Sequence, residues 1–516
     1  MPSFESPLSR NEPHRSGAGG TIMPPKTPLW PLGWTLVSGL LVTGTSSDAG
    51  KSLVVTGLCR AWARQGVRVA PFKAQNMSNN SMVCADGAEI GRAQYLQCEA
   101  AGVEASGVHN PVLLKPGSDR QAFVVVRGKP AGRLEAGEYA TGRTHLAEAA
   151  FAAYEELRAS VDLVVTEGAG SPAEINLRAG DYVNMGLARR FGLPVALVGD
   201  IDRGGVLAAL YGTWALLDDE DRALLRTFVI NKFRGDASVL TPGLDEIRRR
   251  TGLSCAGVLP WLTDVWLDSE DALSIGRWRP DDDAMSERLS VAVVRFPRTS
   301  NATDVDALAA EPGIDVHITT DLDRCREADL LVLPGSRATV DDLAWLRRQG
   351  LDAVVTERAA AGRPVLGICG GYEMLVETIE DAVESSAGTV TGLGVLAGRV
   401  TFHDEKVLAR PNERWKGHDV DGYEIHHGVV DAEPTFPGGS ASGSVWGTIW
   451  HGTFENDGFR RAWLAEVAAA VGSAWTPDLT APGFRARRSA MIDALADACE
   501  ASLDLDHLLE LAQEAP

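Results

Sequence analysis

The sequence predicts an α/β protein with a larger parallel-sheet domain followed by a smaller α/β domain, and three observations carry that prediction. Short apolar runs alternate with helical stretches from Leu40 to about Pro260, and the alternation resumes at Leu289. The early runs are followed within two residues by Lys, Glu, Asp or Asn, at the strand ends where such sheets bind ligands. Two glycine-containing turns, Gly44–Ser52 and Gly367–Gly371, each follow an apolar run.

A chain of 516 residues is too long for one core and should divide into two or three domains. Its content, 45% hydrophobic and 23% charged, is that of an ordinary soluble enzyme. The net charge of −21 argues against nucleic acid as a partner. Arg248-Arg249-Arg250 reads as the basic end of a helix rather than as a phosphate-binding patch. Seven cysteines without paired close spacing indicate a reduced, cytoplasmic protein without a disulfide framework. The apolar run Trp34–Val42 is far short of the roughly 20 residues that span a bilayer, so no membrane partner is expected. Homo-oligomer formation is left open.

Residues 1–34, rich in Pro, Ser, Gly and Arg, are expected to be a flexible tail. The first domain, 35–278, begins with a strand over Trp34–Thr43 and a helix over Leu53–Arg64, and continues with strands at Val67–Phe72, Leu163–Thr166, Val195–Val198 and Phe228–Ile230. An acidic stretch containing Pro280-Asp281-Asp282-Asp283 marks 279–288 as a linker. The second domain, 289–516, opens with a strand at Leu289–Arg295 and adds Leu330–Leu333 and Pro364–Ile368. Helices over Arg460–Val471 and Arg488–Ala512 close the chain.

The turn Gly44-Thr45-Ser46-Ser47-Asp48-Ala49-Gly50-Lys51-Ser52 lies between a strand and a helix, the setting in which backbone N–H groups cradle phosphates. It resembles the loop of dethiobiotin synthetase-like ATPases, which activate carboxylates. Thr45 and Gly50 belong to the ATP-binding loop, Lys51 is placed to contact the phosphates, and Ser52 to hold Mg²⁺. Glu167, at the end of another strand, is a candidate metal ligand, with Asp86 as a second. Lys73 is positioned to neutralise a γ-phosphate or an incoming carboxylate, and Asn231 to read an adenine edge.

The runs Phe72–Asn80, Glu167–Leu177, Asp200–Gly205, Asn231–Asp236 and Gly257–Trp261 are similar to those of the cobyric acid synthase family, from about Leu40 to the C-terminal helices. The resemblance implies ATP- and glutamine-dependent amidation of carboxylates b, d, e and g of adenosylcobyrinic acid a,c-diamide, a corrinoid, through acyl phosphates. Asp181, in Gly180–Met185, is a candidate for handling the corrinoid or its intermediate, and equally a candidate helix N-cap.

The turn Gly367-Ile368-Cys369-Gly370-Gly371 would place a thiol on a strand-to-helix elbow suited to a nucleophile. His451 stands where class I glutamine amidotransferases place their general base, and backbone N–H groups of Gly370 and Gly335 are candidate oxyanion donors. Many relatives carry a glutamate two positions after the histidine. This chain has Thr453 there, leaving a dyad, or Glu455 or another acid to orient His451. Adjacent histidines on a strand point to opposite faces, so His426 and His427 are expected to serve a structural or interdomain role rather than to share a metal. The alternatives are cobyrinic acid a,c-diamide synthase or another ATP-dependent carboxylate amidase and, more remotely, a partition-type ATPase. The last would have no use for the cysteine domain and carries a lysine early in its loop, where this chain has Ser46 and Ser47.

Overall fold

Strands buried on both faces read as near-continuous apolar runs, and Leu163–Glu167, Val195–Asp200, Leu330–Leu333 and Val365–Ile368 do so, with polar residues only at the C-terminal ends of the first two. The structure, a computed structural model, describes residues 38–118, 121–135, 144–263, 265 and 287–514. The tail 1–34 and positions 279–286 of the linker lie outside the described residues.

In the first sheet Ser38–Gly44 lies between Val195–Asp200 and Leu163–Glu167. Leu225–Phe233 and Ser254–Pro260 extend one side and Val69–Phe72 the other, all strands parallel. Val42 is in register with Glu167, so the turn after Gly44 and the Glu167 carboxylate leave the sheet at the same edge. The second sheet runs Ile314–Thr319, Leu289–Val294, Leu330–Leu333, Val365–Ile368 and Val445–Thr448 in parallel, closed by an antiparallel strand, Gly439–Ser442.

The alternation of strands and helices did not reveal the antiparallel parts. Val112–Ser118, Gln121–Val126 and Lys129–Glu135 form a meander beside Gln75–Met77, and Ser81–Val83 pairs with Glu89–Gly91. A further four-stranded sheet holds Gly388–Thr391, Thr378–Asp381, Arg399–Ala409 and Glu424–Asp431. The closing stretch Arg488–Ala512 is two helices, Phe484–Ser502 and Leu505–Gln513, not one. Leu503 bridges to Gly257 and Asp504 caps the second helix by accepting from the His507 N–H, which breaks the helical run.

These last helices do not pack with the second domain alone, as chain order suggested. Phe484–Ser502 lies on the helix Lys51–Arg64, where Gly57 faces Leu495 and Cys499 and Arg64 bonds Asp497 at 2.6 Å. The chain end thereby returns to the first sheet, and Thr35–Pro516 forms one compact unit.

Buried polar contacts join the halves. The Ser81 N–H donates to Asn301 Oδ1 at 2.9 Å and the Ala302 N–H to Asn80 Oδ1 at 3.1 Å. Glu89 lies between Lys115 at 2.7 Å and Lys406 at 2.5 Å. Glu455 accepts from Arg92 at 2.5 Å and Arg488 at 3.1 Å. Burial pushes the Glu455 carboxyl up, but the two guanidiniums outweigh it and bring the pKa down to about 2. Glu455→Gln should lower stability at neutral pH by about 3–5 kcal/mol, because two arginines stay buried without their charge partner. A carboxylate with a depressed folded pKa contributes stability that is lost as pH falls through the window from about 4.3 to about 2. Denaturation of both proteins across that window should therefore show their difference shrinking toward the acid end.

Candidate active sites

The Gly44–Ser52 turn follows the central strand, and the helix Lys51–Arg64 begins at its end. Gly50 has φ +95°, and an added Cβ would lie 2.0 Å from Asn231 Nδ2, so the turn requires glycine here. Asn231 is fully engaged with this turn. Its amide donates to the Ala49 carbonyl at 3.0 Å and its Oδ1 accepts from the Lys232 N–H at 2.8 Å. Asn231 thus braces the loop through the Ala49 carbonyl.

Lys51 reaches back over the turn and donates to the carbonyls of Ser46 at 3.0 Å and Ser47 at 2.8 Å. The Thr45 N–H is tied to the Val198 carbonyl at 2.9 Å. Ser52 Oγ donates to Glu167 Oε1 at 2.8 Å, and Lys73 Nζ bonds the same oxygen at 2.9 Å. Gln97 Nε2 donates to the other oxygen at 2.5 Å. Burial raises the Glu167 carboxyl, but Lys73 and Gln97 more than offset this and keep it below the ordinary carboxylate range. Ser52 and Glu167 therefore offer a hydroxyl and an ionised carboxylate side by side, the hard-oxygen donor set that suits Mg²⁺.

A cavity of about 380 Å³ opens beside this cluster, with Ser47, Lys51, Lys73, Gln75, Asp181 and Asn184 on its walls. Asp181 borders the cavity but its carboxylate is committed to the backbone, accepting from the N–H groups of Val183, Asn184 and Gly186 at 2.8 to 2.9 Å. It thereby braces the turn ahead of the helix Met185–Phe191, whose N-cap is Asn184, and that turn shapes the wall of the cavity. Asp86 does not join the site. It is exposed in the turn of the Ser81–Gly91 hairpin, where its carboxylate accepts from the Ala88 N–H at 2.9 Å, a local turn bond that accounts for the residue.

In the second half Cys369 ends the strand Val365–Ile368 with φ 48° and ψ −114°, a conformation rare for a residue with a Cβ. Close packing enforces the elbow, since a Cβ on Gly371 would lie 2.0 Å from the Leu333 carbonyl oxygen. Gly370 sits against Ser336, and Gly335 against Ser300 and the His451 ring, so the two candidate oxyanion segments flank the cysteine and histidine. Cys369 and His451 line one narrow cavity.

His451 Nδ1 lies 2.7 Å from Asp304 Oδ2, and the Gly452 N–H donates to Asp304 Oδ1 at 2.8 Å. Asp304 is the acid that orients the histidine. Glu455 is held by its two arginines instead. The signal for Asp304 was available in principle: it lies in a turn just past the strand Leu289–Val294, at the ligand-binding edge of a parallel sheet.

Burial, followed by the neighbouring Glu373, pushes the Cys369 thiol well above its usual pKa. Cys369 therefore rests as a thiol, and to act as a nucleophile it would need a base, for which His451 is the candidate, to take its proton. Burial also raises Glu373 to about 8, leaving it protonated at neutral pH and bonded to Thr339 Oγ1 at 2.7 Å.

A model of the CobQ/CobB/MinD/ParA nucleotide binding domain matches residues 40–275, and a CobB/CobQ-like glutamine amidotransferase domain matches 290–459. The cobyric acid synthase of Cutibacterium acnes is 63% identical over 92% of this chain and 100% of its own length. That of Mycolicibacterium gilvum is 53% identical over 93% of this chain and 98% of its own. The chain belongs to the cobyric acid synthase family. It is an enzyme with nucleotide-binding and glutamine amidotransferase domains, and the geometry above lies within those two matched segments.

His426 and His427 both border the cavity of Cys369, on a strand whose partner, Arg399–Ala409, carries an irregularity between Phe402 and Val407. Each ring has its own backbone partner, His426 Nδ1 at 2.7 Å from the Gly428 carbonyl and His427 Nδ1 at 3.0 Å from that of His403. Asp304→Asn should lower glutamine hydrolysis roughly hundred- to ten-thousand-fold by releasing the tautomer and orientation of His451. Steady-state glutaminase assays check this, and a loss under tenfold would remove Asp304 from the orienting role.

Proposed function

We propose that this enzyme uses ATP and glutamine to amidate carboxylates b, d, e and g of adenosylcobyrinic acid a,c-diamide. The observation that carries the reading is the pairing, in one cobyric acid synthase family chain, of a Lys51–Ser52–Glu167–Lys73 cluster with a Cys369–His451–Asp304 triad.

His451 takes the Cys369 proton as Sγ attacks the side-chain amide carbon of glutamine. Backbone N–H groups of Gly370 and Gly335 would receive the developing oxyanion. His451 returns the proton to the leaving nitrogen, which departs as ammonia, and water then hydrolyses the thioester to glutamate. At the other site a corrinoid carboxylate oxygen attacks the γ-phosphorus of ATP and ADP leaves. Ammonia attacks the resulting acyl phosphate carbon and inorganic phosphate leaves, giving the amide.

Lys51 and Lys73 supply fixed positive charge around the transferring phosphoryl group and the carboxylate, where positioning and charge neutralisation do most of the catalysis. Ser52 and Glu167 would hold Mg²⁺, which neutralises phosphate charge when bound. Asp181 and its turn shape the wall against which the corrinoid would lie.

Purified protein incubated with ATP, Mg²⁺, glutamine and adenosylcobyrinic acid a,c-diamide should convert the corrinoid in steps, each replacing one hydroxyl by an amino group as followed by mass. An unchanged corrinoid alongside glutamine hydrolysis would move the search to another carboxylate. Cys369→Ser should abolish the glutamine-driven reaction and leave that driven by concentrated ammonium salt, whereas Lys51→Ala should lose both. Turnover by Lys51→Ala at the wild-type rate would rule out the phosphate-loop assignment.

A further inference from the structure

The cavity at Cys369 contains a buried hydrogen-bonding atom that the chemistry above does not use. His426 is 9% exposed, and its Nδ1 lies 2.7 Å from the Gly428 carbonyl. A carbonyl only accepts, so Nδ1 carries the proton and Nε2 is left with a bare lone pair. That Nε2 is buried and has no hydrogen-bond partner in the structure. Leaving a buried acceptor unmatched is costly, so a donor that arrives with a ligand would be bound preferentially.

Burial lowers the His426 pKa to about 4, which keeps the ring neutral and Nε2 an acceptor at physiological pH. Two carboxyl groups around the cavity already have partners. Glu384 is paired with Arg337, and Glu373 is protonated and bonded to Thr339.

Glutamine brings two sets of donors, its side-chain amide and its α-ammonium. The amide must lie at Cys369 and His451. Tyr423 pairs with His451 through two backbone hydrogen bonds of 3.0 and 2.9 Å, and His426 follows three residues later, on the strand Glu424–Asp431 that begins just after Tyr423. At about 3.3 Å per residue this sets its backbone roughly 10 Å along the chain from the residue that pairs with His451. Arg337, paired with Glu384, and Lys406, paired with Glu89, also border the cavity.

We infer that His426 Nε2 accepts a hydrogen bond from the α-ammonium of glutamine, making His426 the residue that selects an α-amino acid amide over a simple amide. The inference rests on the reading of Cys369 and His451 as the glutaminase pair.

The test compares hydrolysis of glutamine and of glutaramate, which is glutamine without its α-amino group, by the full-length wild type, His426→Ala and His426→Gln. In the wild type kcat/KM should favour glutamine by about 10- to 100-fold, the worth of a hydrogen bond to a charged donor. In His426→Ala the KM for glutamine should rise by that factor with little change in kcat, while kinetics with glutaramate stay as they were. His426→Gln, which retains an acceptor, should recover part of the preference.

Equal losses on both substrates would overturn the assignment and place His426 at the amide end or in a structural role. So would a wild type that does not prefer glutamine, a result that needs no variant. A wild type that hydrolyses neither substrate would instead overturn the glutaminase reading itself.

Discussion

Two reciprocal hydrogen bonds, between Asn80 and Ala302 and between Ser81 and Asn301, form the seam on which both reaction sites depend. On one side Asn301, held with φ 48°, starts the turn Ala302–Val305 that carries Asp304 to His451. On the other, the Asn80 carbonyl accepts from the Arg92 N–H at 3.1 Å, at the start of the helix Arg92–Ala101. That helix delivers Gln97 to Glu167 beside the phosphate loop. A shift at the seam would therefore move the acid behind the glutaminase histidine and the amide that holds the phosphate-site carboxylate.

The two sites treat buried charge in opposite ways. Around the phosphate loop a carboxylate is kept ionised by surrounding Glu167 with Ser52, Lys73 and Gln97. Around Cys369 burial keeps the thiol, Glu373 and His426 uncharged at neutral pH. These neutral groups share the cavity wall with the charged Arg337, Glu384 and Lys406, and a thiolate at Cys369 would have to be created by a base such as His451. The Lys115–Glu89–Lys406 cluster lies where these regimes meet, with Glu89 from the first half compensating a lysine from each half.

Local pattern made the parallel sheets legible, because each strand is a short apolar run and each turn has its own residue chemistry. Gly50 and Gly371 could be read as turn glycines, and Lys51, Ser52, Glu167, Lys73, Cys369 and His451 could be placed at strand ends or turns. Long-range partners could not. Asp304 lies 147 residues before His451 in the chain, and nothing in its neighbourhood names that histidine. Asp86 shows the same limit in reverse: an exposed acid looked available for ligands, but its carboxylate accepts from a backbone N–H in its own turn. The C-terminal helices were assigned by chain order, whereas contacts such as Gly57 with Cys499 bring them to the first sheet.

The most direct measurement of this coupling is the rate at which a glutamine-like chloroketone alkylates Cys369 in the wild type and in Asn80→Ala. Asn80 belongs to the first half, yet loss of its bond to Ala302 should displace the Asp304 turn and slow alkylation by about tenfold, the scale of one buried hydrogen bond. An unchanged rate in a folded Asn80→Ala protein would show that the two sites are set independently and would contradict the account.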